Sequence, residues 1–236
     1  MAYRKYGWHF LRHDKKLRYA DGRTVKKGVW LRVDGGLRMC YRGMHASYDI
    51  LDAVGWSVDF QTQICRVELS KERVESDTKV CARARKVVDW IDGYGILRRF
   101  ALTCAQQAMD LAHVSNKNMR KALRAMEDAV NKRLALPGSI TAWIGSYANT
   151  KSSAKKYRYV RRCMEAAFQV VDDVHPYAVA RAADQLAMLQ RYLDDDGHTT
   201  DYYWNKLSKR LERIVKDAMK AKNKRYKKKE AKNAKR

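Results

Sequence analysis

Gly93-Tyr94-Gly95-Ile96-Leu97-Arg98-Arg99-Phe100-Ala101 is where the chain changes its period, and that change decides the fold class. Downstream of Gly95, apolar residues recur every three and four positions. Leu97, Phe100, Ala101, Cys104, Ala105, Ala108 and Ala112 make one stripe, the pattern of an amphipathic helix. Upstream, the apolar runs are short, rich in β-branched and aromatic residues, and punctuated by turn signals at Asp21-Gly22, Asp34-Gly35-Gly36, Gly43 and Gly55. Ile64-Cys65-Arg66-Val67-Glu68-Leu69 alternates between two faces, as a half-buried strand does, and Val29-Trp30-Leu31-Arg32-Val33 does so in part. Val80 to Arg85 is expected to place Arg83 and Arg85 on one side of a strand. One helix is expected inside this half, from about Tyr48 to Val54, with Ser47 as its cap.

The helical half continues to the end. Met119, Leu123, Met126, Val130 and Leu134 form a second stripe, capped by Ser115 or Asn116. Pro137-Gly138 breaks the chain before a short helix carrying Ile140, Trp143, Ile144 and Tyr147. A fourth helix covers about Ser153 to Val171. Pro176 suits the first turn of a fifth, whose stripe is Val179, Ala182, Ala183, Leu186, Leu189 and Leu193. Thr199 or Thr200 caps the last, with Tyr203, Leu207, Leu211, Ile214 and Ala218 inward. Such stripes pack on one another as a bundle. The reading is an α+β protein of three parts: a small β-rich N-terminal domain over 1–92, an α-helical bundle over 93–215, and a Lys-rich helical extension over 216–236. That extension has too few apolar residues to bury a face, so removing residues 219–236 is expected to leave the fold intact.

Charge narrows the function. Lys and Arg number 50 against 26 Asp and Glu, a net +24 over 236 residues. Residues 1–43 and 216–236 each carry +9, and the long middle carries +6. A chain so charged attracts polyanions. Three clusters stand out: Arg4 and Lys5 with Arg12, Lys15, Lys16 and Arg18; Lys151, Lys155, Arg158 and Arg162 at helical spacing; and Lys220, Lys224, Arg225, Lys227 and Lys228. In the first, Tyr3, Tyr6 and Tyr19 interleave with the cations, so cations can meet phosphates while rings stack on bases. No zinc-finger spacing or base-reading helix motif accompanies them, so sequence-independent binding is expected. A span of about 18 apolar residues is missing, so no membrane crossing is expected. The first residues lack the apolar stretch of a signal peptide, and five cysteines without a Cys-x-x-Cys pair read as buried thiols in a reducing compartment.

The densest mixture of reactive side chains is Cys40-Tyr41-Arg42-Gly43-Met44-His45-Ala46-Ser47, followed by Asp49 and Leu51-Asp52-Ala53. Together with His9-Phe10-Leu11, Asp21-Gly22-Arg23, Cys65 to Ser70 and Asp77-Thr78-Lys79, it resembles an uncharacterised family of bacteriophage and prophage proteins. Their N-terminal domain reads Cys-x-Arg-Gly-x-His-Ala-Ser and is followed by helices. The resemblance spans about the first 90 residues. It implies a phage origin and a fold unit, and carries no established chemistry.

Three site readings arise here. His9, His13, Cys40 and His45 contain metal-ligand types, but residues four apart on a strand lie about 13 Å apart, so no metal is expected. His45, Ser47, Asp49 and Asp52 contain triad types, yet triad partners converge from separate elements. Gly43, His45, Ser47 and Asp52 are therefore expected to be structural. His9 and the Gly43-to-Ser47 segment are also similar to ADP-ribosyltransferase cores, which would make His9, His45 and Glu68 the catalytic set, although Glu68 sits in no recognisable motif. The expected function is a non-catalytic phage accessory protein that binds DNA or RNA, without a cofactor, in the cytoplasm of the infected host or with the virion. The alternatives are that enzyme, or a protein that holds a phage or host partner through its helical half, for instance at Tyr202-Tyr203-Trp204.

Overall fold

The computed structural model describes residues 4–18, 21–57, 62–132, 136–146, 155–173 and 175–233. Antiparallel sheets come first and helices follow, an α+β architecture. The chain forms two compact units. A sheet unit comprises Met1–Ala53, Thr62–Gly93 and Lys209–Arg236, and a helical unit comprises Val54–Gln61 and Tyr94–Ser208.

The sheet unit contains β1 (Tyr6–Leu11), β2 (Trp30–Arg32), β3 (Met44–Ala46), β4 (Gln63–Leu69), β5 (Arg73–Glu75), β6 (Val80–Ala82) and β7 (Ala84–Asp92). Two antiparallel sheets result, one in the order β1-β4-β7-β2 and one in the order β3-β6-β5. Side chains alternate along a strand, so each sheet has an inner and an outer face. Leu11, Cys65, Val67, Leu69 and Val87 of the first sheet meet Ala46, Val80 and Ala82 of the second in one buried cluster. Each large aliphatic side chain buried there contributes about 1.5–3 kcal/mol.

The sheets are stitched by backbone. Trp8 N–H donates to Ser47 O at 2.7 Å and Ser47 N–H returns to Trp8 O at 3.0 Å. The approach requires a glycine next door, because a Cβ at Gly7 would stand 2.9 Å from Ser47 O. Ser47 is thus a strand partner and not a helix cap. The helix that follows, α1 (Ile50–Gly55), starts later than expected and is capped by Asp49, whose Oδ1 accepts from the N–H of Leu51 at 2.8 Å and Asp52 at 3.3 Å.

The expectation for Arg83 and Arg85 is also corrected. The chain leaves one sheet and enters the other at Arg83. Arg83 turns to Glu72, with Nε–Oε1 at 3.1 Å, while Arg85 is buried at 3% exposure and donates to His45 O.

The helical unit is built from α2 (Tyr94–Leu111), α3 (Lys117–Lys132), α4 (Ile140–Ser146), α5 (Lys155–Asp173) and α6 (Pro176–Leu193). The predicted stripes of α2 and α6 are buried, Leu193 excepted, and in α3 Met119, Leu123 and Met126 are buried while Val130 is half-buried. Asn116 caps α3 through its Oδ1 to Asn118 N–H at 2.9 Å. α5 lies along α6, and α2 packs on both. Alanines at these contacts let backbones approach, so that Cys163 Sγ reaches Ala182 O at 3.3 Å. Tyr147 and Leu134 lie outside the described residues.

α7 (Thr200–Asn233) is one helix of 34 residues. Thr199 caps it, its Oγ1 accepting from Tyr202 N–H at 3.3 Å. Its inward face is the expected one at Leu207 and Leu211, which are buried, and differs beyond them: Ile214 is exposed, and Val215 and Met219 are buried. The face does not fade at Lys216. Past Lys86, β2 no longer pairs with β7, and other groups take up β7's polar atoms. Gly28 N–H donates to Val87 O at 2.8 Å, Lys222 Nζ to Trp90 O at 2.7 Å, and Asn223 Nδ2 to Asp89 Oδ2 at 2.8 Å. A strand edge left unpaired costs stability, and α7 removes that cost. Residues 216–233 are therefore part of the sheet unit, not a separate basic tail.

This reverses the expectation for truncation. Deleting residues 219–236 removes the burial of Met219, worth about 1.5–3 kcal/mol, and two hydrogen bonds worth about 1 kcal/mol each. The melting temperature should fall by several degrees, whereas deleting 224–236 should leave it nearly unchanged. Thermal melts followed by circular dichroism check both.

Candidate nucleic-acid interface

The segment richest in reactive side chains is a joint. Gly43 has φ +150°, in the region that favours glycine, and a Cβ there would collide with Cys81 Sγ. His45 Nε2 accepts the Cys40 N–H at 3.1 Å. Burial, then Arg85 and Lys79, hold the His45 ring below the ordinary imidazole pKa. Arg85 is pushed down to about 10, chiefly by loss of hydration. Its guanidinium ties β7 to β3 through the His45 carbonyl.

The catalytic set does not assemble. The register pairs His9 with Cys65 and Tyr6 with Glu68, so His9 lies on the inner-facing side of the sheet and Glu68 on the outer side. His9 is half-buried and its pKa is driven well down by burial, with Arg85 and His45 adding to the effect. Glu68 is held by Lys5 at 3.0 Å and Lys86 at 2.9 Å, which lower its pKa. Nor do His9, His13, Cys40 and His45 converge. Among the described residues, the one group of possible ligand atoms within reach of a common ion is Asp194, Asp196 and His198. There Asp194 accepts the N–H of Asp196 and of His198, which shapes the turn before α7.

The basic clusters divide unequally between the units. The sheet unit's ranges hold 33 Lys and Arg against 14 Asp and Glu, a net +19. The helical unit's ranges hold 17 against 12, a net +5. The fold thus gathers both basic ends of the chain into one unit. Of the N-terminal cluster, Arg12 and Lys16 are exposed without an ion pair among the described residues. Lys5 is taken by Glu68, Lys15 lies over the Trp90 ring at 4.6 Å, Arg4 lies over Tyr48 at 5.4 Å, and Arg18 is half-buried. On α7, Lys224, Arg225, Lys227 and Lys228 are exposed and have no carboxylate partner among the described residues, and Lys220 reaches Asp217 only at 3.7 Å. In the helical unit, Lys155, Arg158 and Arg162 are exposed along α5, with Lys155 about 6.0 Å from Tyr159. Lys151 lies outside the described residues.

A further surface went unread in the sequence. The register runs Tyr6↔Glu68, Glu68↔Lys86 and Lys86↔Trp30, so these four side chains form one row across the outer face of the sheet. Tyr6 at 40% and Trp30 at 36% stay exposed at its two ends. Beside Trp30 a cleft of about 400 Å³ is lined by Lys5, Arg32, Glu68, Ser70, Lys71 and Ala84 among others. Trp30 and Arg32 flank Leu31, which packs on the core, and that spacing was a signal for a shared outer face.

The aromatics of Tyr202-Tyr203-Trp204 are differently employed. His198 stacks on Tyr202 at 4.0 Å, and Tyr202 meets Tyr203 edge-on at 5.2 Å. Comparison with family models, curated proteins and solved structures finds no match. No helix among the described residues is long and apolar enough to cross a membrane.

Asp52 supplies a test of the joint. Burial and the neighbouring Asp49 push its carboxyl up to about 7. A carboxyl with a raised folded pKa favours folding when protonated, so its contribution is lost as pH rises from about 4 towards 7. Asp52→Asn should match the parent near pH 4 and exceed its stability increasingly up to pH 7, then level off. Discounted for the water that reaches this half-buried group, the gain is about 1 kcal/mol. Denaturant titrations across that range measure it.

Proposed function

We propose that this chain is a phage accessory protein that binds nucleic acid irrespective of sequence, through its sheet unit and without catalysis. The observation that carries this reading is the charge of the sheet unit, +19 against +5 for the helical unit. Cations along α7 that lack carboxylate partners among the described residues are available to phosphates, and each contact releases a condensed counterion. The array of Lys224, Arg225, Lys227 and Lys228 is exposed and has no second side-chain partner among the described residues to fix it, which suits phosphates and not base edges. The separation of His9 from Glu68 across the sheet weighs against the transferase alternative. The stacking of His198 on Tyr202 and the edge-on contact of Tyr202 with Tyr203 weigh against a partner-protein groove there. Host cytoplasm or virion is the site of action that such a role implies.

Binding to any DNA or RNA should fall steeply with salt, with a slope of log affinity against log salt on the order of −5. Changing Lys224, Arg225, Lys227 and Lys228 together to Gln should weaken binding to all sequences alike and flatten the slope by about 3–4. Fluorescence anisotropy over a salt series measures both. A flat response, or no binding at low salt, removes this reading.

A further inference from the structure

We infer that the outer face of the four-stranded sheet is a site for unpaired nucleotides, with a base stacked on Trp30 and its phosphate held at Arg32 and Lys71; this rests on the nucleic-acid reading above.

Three observations on the sheet unit carry it. First, a tryptophan on a strand face without a hydrophobic neighbour over it is unusual, since burial of so large a ring is favourable. Trp30 stays 36% exposed, beside a cleft of about 400 Å³, and Lys86 Nζ sits 4.9 Å from its ring centroid. Lys86 lies against the ring, which keeps about a third of its surface exposed beside the cleft, where a planar partner can reach it.

Second, the cations around it fall into two kinds. Lys5 and Lys86 are consumed by Glu68, and the three groups leave a fixed net of one positive charge. Arg32 and Lys71 are exposed, line the same cleft and have no carboxylate partner among the described residues. They are the groups left for an anion, and Arg can meet a phosphate through two parallel N–H bonds.

Third, a second exposed ring, Tyr6, ends the same cross-strand row. Three strand spacings separate it from Trp30, about 14 Å, a span for a short run of nucleotides. Aromatic rings on an open sheet face with cations between them bind single strands, because every base has a π face while a duplex keeps its bases stacked internally. Glu68 holds Lys5 and Lys86 in place and lowers the charge at the centre of the row. Duplex binding would then rely on the α7 cations, and single-strand binding would add the sheet.

The test compares oligothymidylate with a duplex of equal length, using the full chain and anisotropy at one salt concentration. The parent should bind the single strand more tightly. Trp30→Ala should weaken single-strand binding by about tenfold, within the range for one lost base stack. It should leave duplex binding and the salt slope unchanged, and Trp30→Phe should restore most of the loss. Arg32→Ala with Lys71→Ala, both at exposed positions, should weaken single-strand binding and flatten its salt slope, which keeps the inference testable if Trp30→Ala does not fold. Photocrosslinking of a bromouracil-substituted strand should label Trp30. If the parent binds both polymers but Trp30→Ala and the Arg32/Lys71 pair change neither, and Trp30 is not labelled, the sheet-face site is overturned while the general reading stands. If the parent binds neither polymer at low salt, both fall.

Discussion

The two hydrogen bonds between Trp8 and Ser47 are the constraint on which the sheet unit depends. They hold β1 of the larger sheet against β3 of the smaller, and Gly7 leaves room for the contact. Once the sheets are closed on each other, the choice of inner face follows from the pleat. Leu11, Cys65 and Val67 go in, and Tyr6 and Glu68 go out. The same closure confines the Gly43-to-Ser47 segment between strands. Gly43 avoids Cys81 there, and His45 offers its ring nitrogen to Cys40 and its carbonyl to Arg85. A guanidinium buried at this point is costly in isolation, and its bond to the backbone offsets part of that cost.

The closure also sorts the charge. Acidic groups of the sheet unit are engaged one by one: Glu68 by Lys5 and Lys86, Glu72 by Arg83, and Asp89 by Lys27 and Asn223. Such exposed pairs contribute little stability each. Their larger effect is on the field, because carboxylates bound to neighbouring cations leave the long array on α7 unopposed. A helix that both seals the end of β7 and projects its lysines outward links stability of the unit to presentation of its charge. Lys222 and Asn223 face the strand, and Lys224, Arg225, Lys227 and Lys228 face water.

The residues differed in how far they could be read alone. Ile64 to Leu69 announced a strand, because alternation with a period of two is a local property. Leu97 to Ala112 announced a helix in the same way. Ser47 misled because a serine ahead of a helix is a common cap, and its backbone was already committed to Trp8, 39 positions earlier in the chain. The segment from Lys216 misled because lysine density hides a narrow face. Met219, Lys222 and Asn223 suffice for a helix that needs only to cover a strand end. His9 and Glu68 looked compatible in order along the chain, and the strand register alone put them on opposite sides.

The sequence by itself determined the α+β class, the switch of period at Gly93, the core stripes of the helices and the excess of +24, because these depend on neighbouring side chains and on composition. Only the tertiary structure decided that both basic ends belong to one unit, and that Tyr6, Glu68, Lys86 and Trp30 share a row. It alone decided that Asp49, not Ser47, caps α1. The physical reason is the same in each case. Strand pairing and edge sealing join residues that are far apart in the chain, and the partner that satisfies a given N–H or carbonyl is chosen by the packed whole and not by its neighbours in sequence.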